Sequence, residues 1–152
     1  MYQAESYVAG HGGIELEKNY PYIGLWSKGK CKFDAKKAVG KFSGYTNVSY
    51  ANEAALKVAA YEQPVVSVGI DASSGLFMLY RFGVYDDKSC SNATSTIDHG
   101  VAVVGYGTER GKDYWIVRNS WGVLWGDVGY IKMARNKDNQ CGVASTASFA
   151  RI

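Results

Sequence analysis

A β-leaning fold, in which one well-marked helix precedes a run of short strands, is what this 152-residue sequence predicts. Three observations carry it. Asn52 is a helix N-cap ahead of Glu53-Ala-Ala-Leu-Lys-Val-Ala-Ala-Tyr61, and Pro64 stops that helix. Five short β-branched or aromatic runs follow, each bounded by Gly, Asp or Asn. Gly 18 and Tyr 12 against Pro 2 describe a turn-rich, aromatic, β-leaning chain. The strand run reads as an antiparallel barrel or one half of a sandwich.

Composition narrows the function classes. Hydrophobic residues make up 47% and charged residues 20%, which supplies a core and excludes wholesale disorder. No uninterrupted stretch of eighteen apolar residues exists, so the sequence predicts no membrane span. A net charge of +3 is mild and does not nominate nucleic acid as a partner. The first residues lack a basic flank and an apolar run, so no signal peptide is read in this chain.

In chain order, residues 1–10 read as the last turns of a helix, closed by the glycines around His11-Gly12-Gly13. Asn19 to Gly24 is irregular and punctuated by Pro21. Six lysines lie between Lys28 and Lys41. They lack the interleaved aromatics of a nucleic-acid surface, so a solvated loop and strand face is expected. After the 52–61 helix, strands are expected at Pro64 to Ile70, Gly83 to Tyr85, His99 to Tyr106, Tyr114 to Arg118 and Gly129 to Met133.

Cys31, Cys90 and Cys141 are far apart, form no C-x-x-C and accompany only two histidines, which argues against a structural metal. In a secretory setting one disulfide can form and one thiol is left over, a first hint of an incomplete chain. Asn47-Val-Ser49 and Asn92-Ala-Thr94 are acceptor triplets for N-glycans, and such triplets also arise by chance.

The informative region is a hairpin. Asp98-His-Gly-Val-Ala-Val-Val-Gly-Tyr-Gly107 and Asp113-Tyr-Trp-Ile-Val-Arg-Asn-Ser-Trp-Gly122 flank the polar segment Thr108 to Lys112. With Glu109 at the turn centre, His99 and Asn119 face each other, their Cβ atoms roughly 5 Å apart. Both faces of the first strand are apolar, so the hairpin is expected to lie between layers. An asparagine oxygen accepting the imidazole N–H fixes the ring's tautomer and leaves the other nitrogen for a reacting group. A neutral partner suits a thiolate–imidazolium pair, and Trp121 is placed to cover it. A buried histidine satisfied by an asparagine for structural reasons fits the same spacing.

Asp98-His99-Gly100, Asn119-Ser-Trp-Gly122 with Trp125-Gly126, and Asn139-Gln-Cys-Gly-Val-Ala-Ser145 resemble the papain family of cysteine peptidases. With Tyr20-Pro21-Tyr22, the likeness is to its cathepsin L branch, over essentially the whole chain. The resemblance implies a papain-like α+β fold: residues 1–25 as a remnant of a helical domain, and 26–152 as a β-rich, antiparallel barrel-like domain with short helices. It implies His99 as the catalytic acid and base, Asn119 as its orienting partner, and Ser120 and Trp121 in support. It implies that Met1, Gly69, Ile97, Asp98, Gly100 and Thr146 contact substrate, with Asp98 acting through the main chain. A Cys90–Cys141 disulfide, an unpaired Cys31, no cofactor, and a lysosomal or extracellular location follow from the same likeness.

The family's nucleophile sits in a C-G-[SA]-C-[WY] setting about 130–150 residues ahead of the histidine. None of the three cysteines has that setting. The oxyanion-stabilising glutamine expected just before the nucleophile is missing as well. The reading is therefore part of a cathepsin L-like endopeptidase. Its expected partners are a peptide or protein substrate and the N-terminal domain of the same protein. The alternative is a non-catalytic family member acting as a binding or structural protein.

Overall fold

A computed structural model describes residues 1–24 and 30–151. Two compact units divide the chain: Met1 with Asn47–Phe149, and Tyr2–Thr46 with Ala150–Ile152. The expected boundary after residue 25, together with Trp26 and Lys28, lies outside the described residues.

The larger unit is built on strands β4 (Val66–Ile70), β5 (Val84–Tyr85), β6 (His99–Glu109), β7 (Lys112–Arg118), β8 (Tyr130–Ala134) and the start of β9 (Ser148–Arg151). Their order is β9-β4-β6-β7-β8-β5. Helix α2 (Glu53–Glu62) and the short helix α3 (Gly75–Met78) accompany them. All five expected strands form. Asn52 caps α2 through its side-chain oxygen, which accepts the Ala55 N–H at 2.9 Å. Gln63, pushed into extended backbone by Pro64, ends the helix as anticipated.

The core lies along β4, β6 and β7, where Val66, Val68, Ile70, Val103, Trp115 and Val117 are fully buried. Leu56 from α2 and Phe77 from α3 are also fully buried. Each such side chain contributes roughly 1.5–3 kcal/mol of burial free energy.

Three expectations are corrected here. The sheet is mixed rather than antiparallel throughout, because β5 pairs parallel to β8. Among the described residues its end strands do not pair with each other, so it is an open sheet and not a closed barrel. The β6–β7 hairpin is not covered equally on both faces: Val101 and Val103 are buried, whereas Ala102 and Val104 are only half-buried.

A fourth correction concerns register. Glu109 pairs with Lys112, so the turn is the two-residue Arg110-Gly111 loop rather than one centred on Glu109. Arg110 (φ 51°) and Gly111 (φ 76°) are both left-handed, as a primed hairpin turn demands. A bulge between Val103 and Gly105 shifts the pairing again, and Ala102 ends opposite Arg118. Asn119 is thus one step beyond that pair, beside Val101 and diagonal to His99 rather than opposite it.

The smaller unit holds α1 (Tyr2–Gly10), β1 (Ile14–Glu15), β2 (Ala38–Gly40) and all but the last residue of β3 (Gly44–Asn47). β1 and β2 pair antiparallel. Ser43 donates both its amide and its hydroxyl to the Arg151 carbonyl. Helix α1 buries none of its residues. Lys30, Lys32, Lys36, Lys37 and Lys41 are all exposed, and Lys37 meets Asp34 at 3.5 Å.

Candidate active site

His99 opens β6 and lies opposite Ile70 of β4. Its Nε2 is 2.9 Å from Asn119 Oδ1. Asn119 is buried, and the Ser120 amide donates to the same oxygen at 2.7 Å. An amide N–H needs an acceptor, so that atom is the asparagine oxygen and Nε2 carries the hydrogen donated to it. The proton-bearing nitrogen is thereby assigned, and Nδ1 is the imidazole nitrogen left for a reacting group. The diagonal geometry works because residues two apart on adjacent strands share one face.

Aromatic rings enclose the pair. Trp121 lies 5.1 Å from the imidazole, centroid to centroid, and the edge of Phe77 approaches the same ring at 6.2 Å. Trp125 meets Trp121 at 5.3 Å and donates its indole N–H to the Met78 carbonyl. Trp121 itself is 41% exposed, so one side of the site is open to solvent.

Asp98 uses its carboxylate on the main chain: Oδ1 accepts the Ala72 N–H at 2.9 Å. Next to it, Gly69 pairs with Gly100. A Cβ placed on Gly69 would stand 2.6 Å from both Ile97 Cγ2 and Thr146 Oγ1, and 3.8 Å from Met1 Cε. Four of the six residues expected at the substrate therefore converge on one point, Asp98 adjoins it, and Gly100 faces open space.

Cys90 and Cys141 form a disulfide, and among the described residues Cys31 is a free, exposed thiol. Closing a loop of this length restricts the unfolded chain by about 4 kcal/mol. Two carboxylates fasten the surrounding loops. Asp87 accepts the Ser89 hydroxyl and amide, the Ser74 hydroxyl and the Tyr85 hydroxyl. The hydroxyls of Ser89 and Ser74 lead in holding its carboxyl down to about 2. Burial pushes the Tyr85 phenol up to about 12, and the Asp87 charge adds to that shift. For Asp71, burial acts upward, but the Ser73 hydroxyl and the Ser91 and Ser73 amides outweigh it and leave the group below the ordinary range. Asp71 also donates its amide to the Cys141 carbonyl.

Phe77, Asp71 and Asp87 were not anticipated as site residues. Asp71-Ala-Ser73 and Asp87-Lys-Ser89 share an Asp-x-Ser spacing that marks a turn closed by its own carboxylate. Nothing in the sequence places Phe77 against an imidazole 22 residues away.

A histidine with an assigned N–H, an asparagine acceptor and a tryptophan cover are thus brought together on the β-sheet side of an α+β fold. The chain belongs to the papain family of cysteine proteases, whose family model matches residues 1–151. It is 48% identical to mouse (Mus musculus) cathepsin S over 152 residues, covering 100% of this chain and 43% of that protein. It is 47% identical to a cathepsin L-like peptidase of Aedes aegypti, covering 100% of this chain and 44% of that protein. The digestive procathepsin L2 proteinase of Tenebrio molitor larval midgut superposes with a TM-score of 0.91 at 40% identity, over 100% of this chain and 47% of that one. Procathepsin L 3 from the same tissue gives 0.89 at 38%, over 100% and 48%. The chain thus spans less than half the length of these relatives.

Proposed function

We propose that this chain supplies the histidine half of the catalytic site of a cathepsin L-like cysteine endopeptidase, with the thiol nucleophile contributed from outside these 152 residues. The hydrogen bond from His99 Nε2 to Asn119 Oδ1 supports the reading most directly, because it leaves Nδ1 for a thiol. In that mechanism the thiolate adds to the scissile carbonyl, and the imidazolium of His99 protonates the departing amine. His99 then takes a proton from the water that hydrolyses the acyl-thioester. Ser120 holds the Asn119 oxygen, and Trp121 covers the pair.

Peptides and proteins are the proposed substrates. The space bounded by Gly69, Ile97, Thr146 and Met1 is proposed to take the side chain two residues before the scissile bond. Residues 1–25 are proposed to be a remnant of the helical domain and 26–152 the β-rich one. A lysosomal or extracellular location is proposed, which the Cys90–Cys141 disulfide supports. Among the described residues no helix is long and apolar enough to cross a membrane.

The test is hydrolysis of a fluorogenic peptide by the complete protein, compared with its His99→Ala variant. Activity that a thiol-directed epoxide abolishes, and that His99→Ala lacks, is expected. Undiminished hydrolysis by the variant would refute the assignment.

A further inference from the structure

We propose that Asn92 carries an N-linked glycan whose first sugars lie in the polar groove beside it. Asn92-Ala-Thr94 is an acceptor triplet, and both Asn92 and Thr94 are exposed. The residue is presented on a fastened loop. The Ser91 amide donates to Asp71 Oδ2, and the Ser145 hydroxyl donates to the Asn92 carbonyl. Cys90, two positions earlier, is tied to Cys141. The Asn92 side-chain amide donates one N–H to the Asp138 carbonyl at 3.1 Å. Its second N–H is the one a sugar replaces, so the same nitrogen can keep that hydrogen bond after modification.

Asn92 forms part of the wall of a groove of about 470 Å³ that is also lined by Asp86, Lys88, Lys137, Asp138 and Gln140. Gln140 donates to Asp86 Oδ1 at 2.9 Å, and Lys137 stands 3.8 Å from Asp86 Oδ2. Among the described residues the Lys88 ammonium and the Asp138 carboxylate have no such partner. Charged donors and acceptors on an open wall suit the hydroxyl and acetamido groups of a sugar better than an apolar ligand. The transfer needs a polyprenyl-diphosphate-linked oligosaccharide as donor. Nδ2 loses a proton and bonds to the sugar C1, the C1–O bond to the diphosphate breaks, and the lipid diphosphate leaves with the bonding pair. A secretory route is required, and the disulfide supports one independently of the peptidase reading.

The test uses the complete protein secreted from insect cells, read by glycopeptide mass spectrometry. A glycan on the Asn92 peptide is expected, absent from Asn92→Gln and from Thr94→Ala. Enzymatic release of that glycan from native protein should be about fivefold slower than from denatured protein, the factor for one ordinary hydrogen bond. A Lys88→Ala, Asp86→Ala double variant should keep the glycan and release it faster when native. Unmodified Asn92 in secreted protein, or a glycan at Asn47 alone, would overturn the site. Equal release rates for native and denatured protein, or a native rate unchanged in the double variant, would overturn the groove.

Discussion

His99 has its ring proton assigned by one oxygen that also receives the Ser120 amide. Replacing Asn119 with alanine removes that acceptor and leaves the imidazole free to rotate and to exchange tautomers. In the complete protein, kcat/KM for a peptide substrate should fall about five- to tenfold, the range that a hydrogen bond of ordinary strength spans. Nitrogen NMR of the ring should change from a single Nε2–H form to a mixture of tautomers, and the fall in kcat/KM is the readout that separates an orienting asparagine from a merely structural one. Specificity is a second matter at this scale. The point shared by Gly69, Ile97, Thr146 and Met1 bears no charged side chain. Burying leucine or phenylalanine there gains roughly 1.5–3 kcal/mol, whereas arginine would be desolvated without a counter-charge. A positional peptide library should show Leu and Phe above Arg two residues before the scissile bond. Gly69→Ala should narrow the space and penalise Phe more than Val.

Elements are where the sequence was read best and also where it misled. Helix α2 was legible because its cap, its apolar positions and its stop are all local signals. The β6–β7 hairpin was legible as a hairpin, but its register was not. Gly105, an isolated glycine in a strand pattern, is a mark of the bulge but does not say how the pairing resumes, and Arg110 taking a left-handed conformation is not what an arginine advertises. The His99–Asn119 pairing emerged from the expected region although the strands are offset, since the diagonal contact still lies on one face. Helix α3 and strands β1, β2, β3 and β9 were not predicted; the strands are two to four residues long and take their pairing from tertiary neighbours. The loops fastened by Asp87 give a prediction of their own. Its carboxyl titrates near 2 in the folded chain against an ordinary 3.8, so the unfolded chain takes up the proton first as pH falls. The stabilisation is fully present above about pH 4 and is lost progressively from there to about pH 2. Urea denaturation at neutral pH should show Asp87→Asn less stable by about 1–3 kcal/mol, with the gap to wild type closing as the pH drops through that window.

At the scale of the whole molecule, the chain carries His99 hydrogen-bonded to Asn119 but no cysteine in the family's nucleophile setting. The 152 residues alone should hydrolyse no peptide, because an imidazole without a positioned thiol and oxyanion donors loses most of its catalytic power. The same preparation should associate. Tyr22 is 82% exposed, and Tyr2, Tyr7 and Tyr20 are exposed as well, an aromatic surface that favours self-contact. Sedimentation of the isolated chain should therefore show species larger than a monomer. Sharp monomeric behaviour and a cooperative melt typical of mesophilic domains would contradict this.

Glu53, the first residue of α2, accepts hydrogen bonds from the Trp115 indole and from the amides of Asn136, Lys137 and Asn139. Asn136, Asp138, Asn139 and Cys141 all adopt left-handed backbone, and residues 136 to 138 are exposed to solvent. By exposure this stretch would be counted among the loose surface loops. Yet three of its amides are bonded to a single carboxylate on a helix that packs Leu56 and Ala59 into the core, and they can exchange with deuterium only when that carboxylate lets go. Hydrogen exchange should accordingly find the 136, 137 and 139 amides protected to the degree of α2 itself, and Glu53→Gln should release all three together. An outwardly exposed loop would then keep the kinetic record of the helix it is tied to.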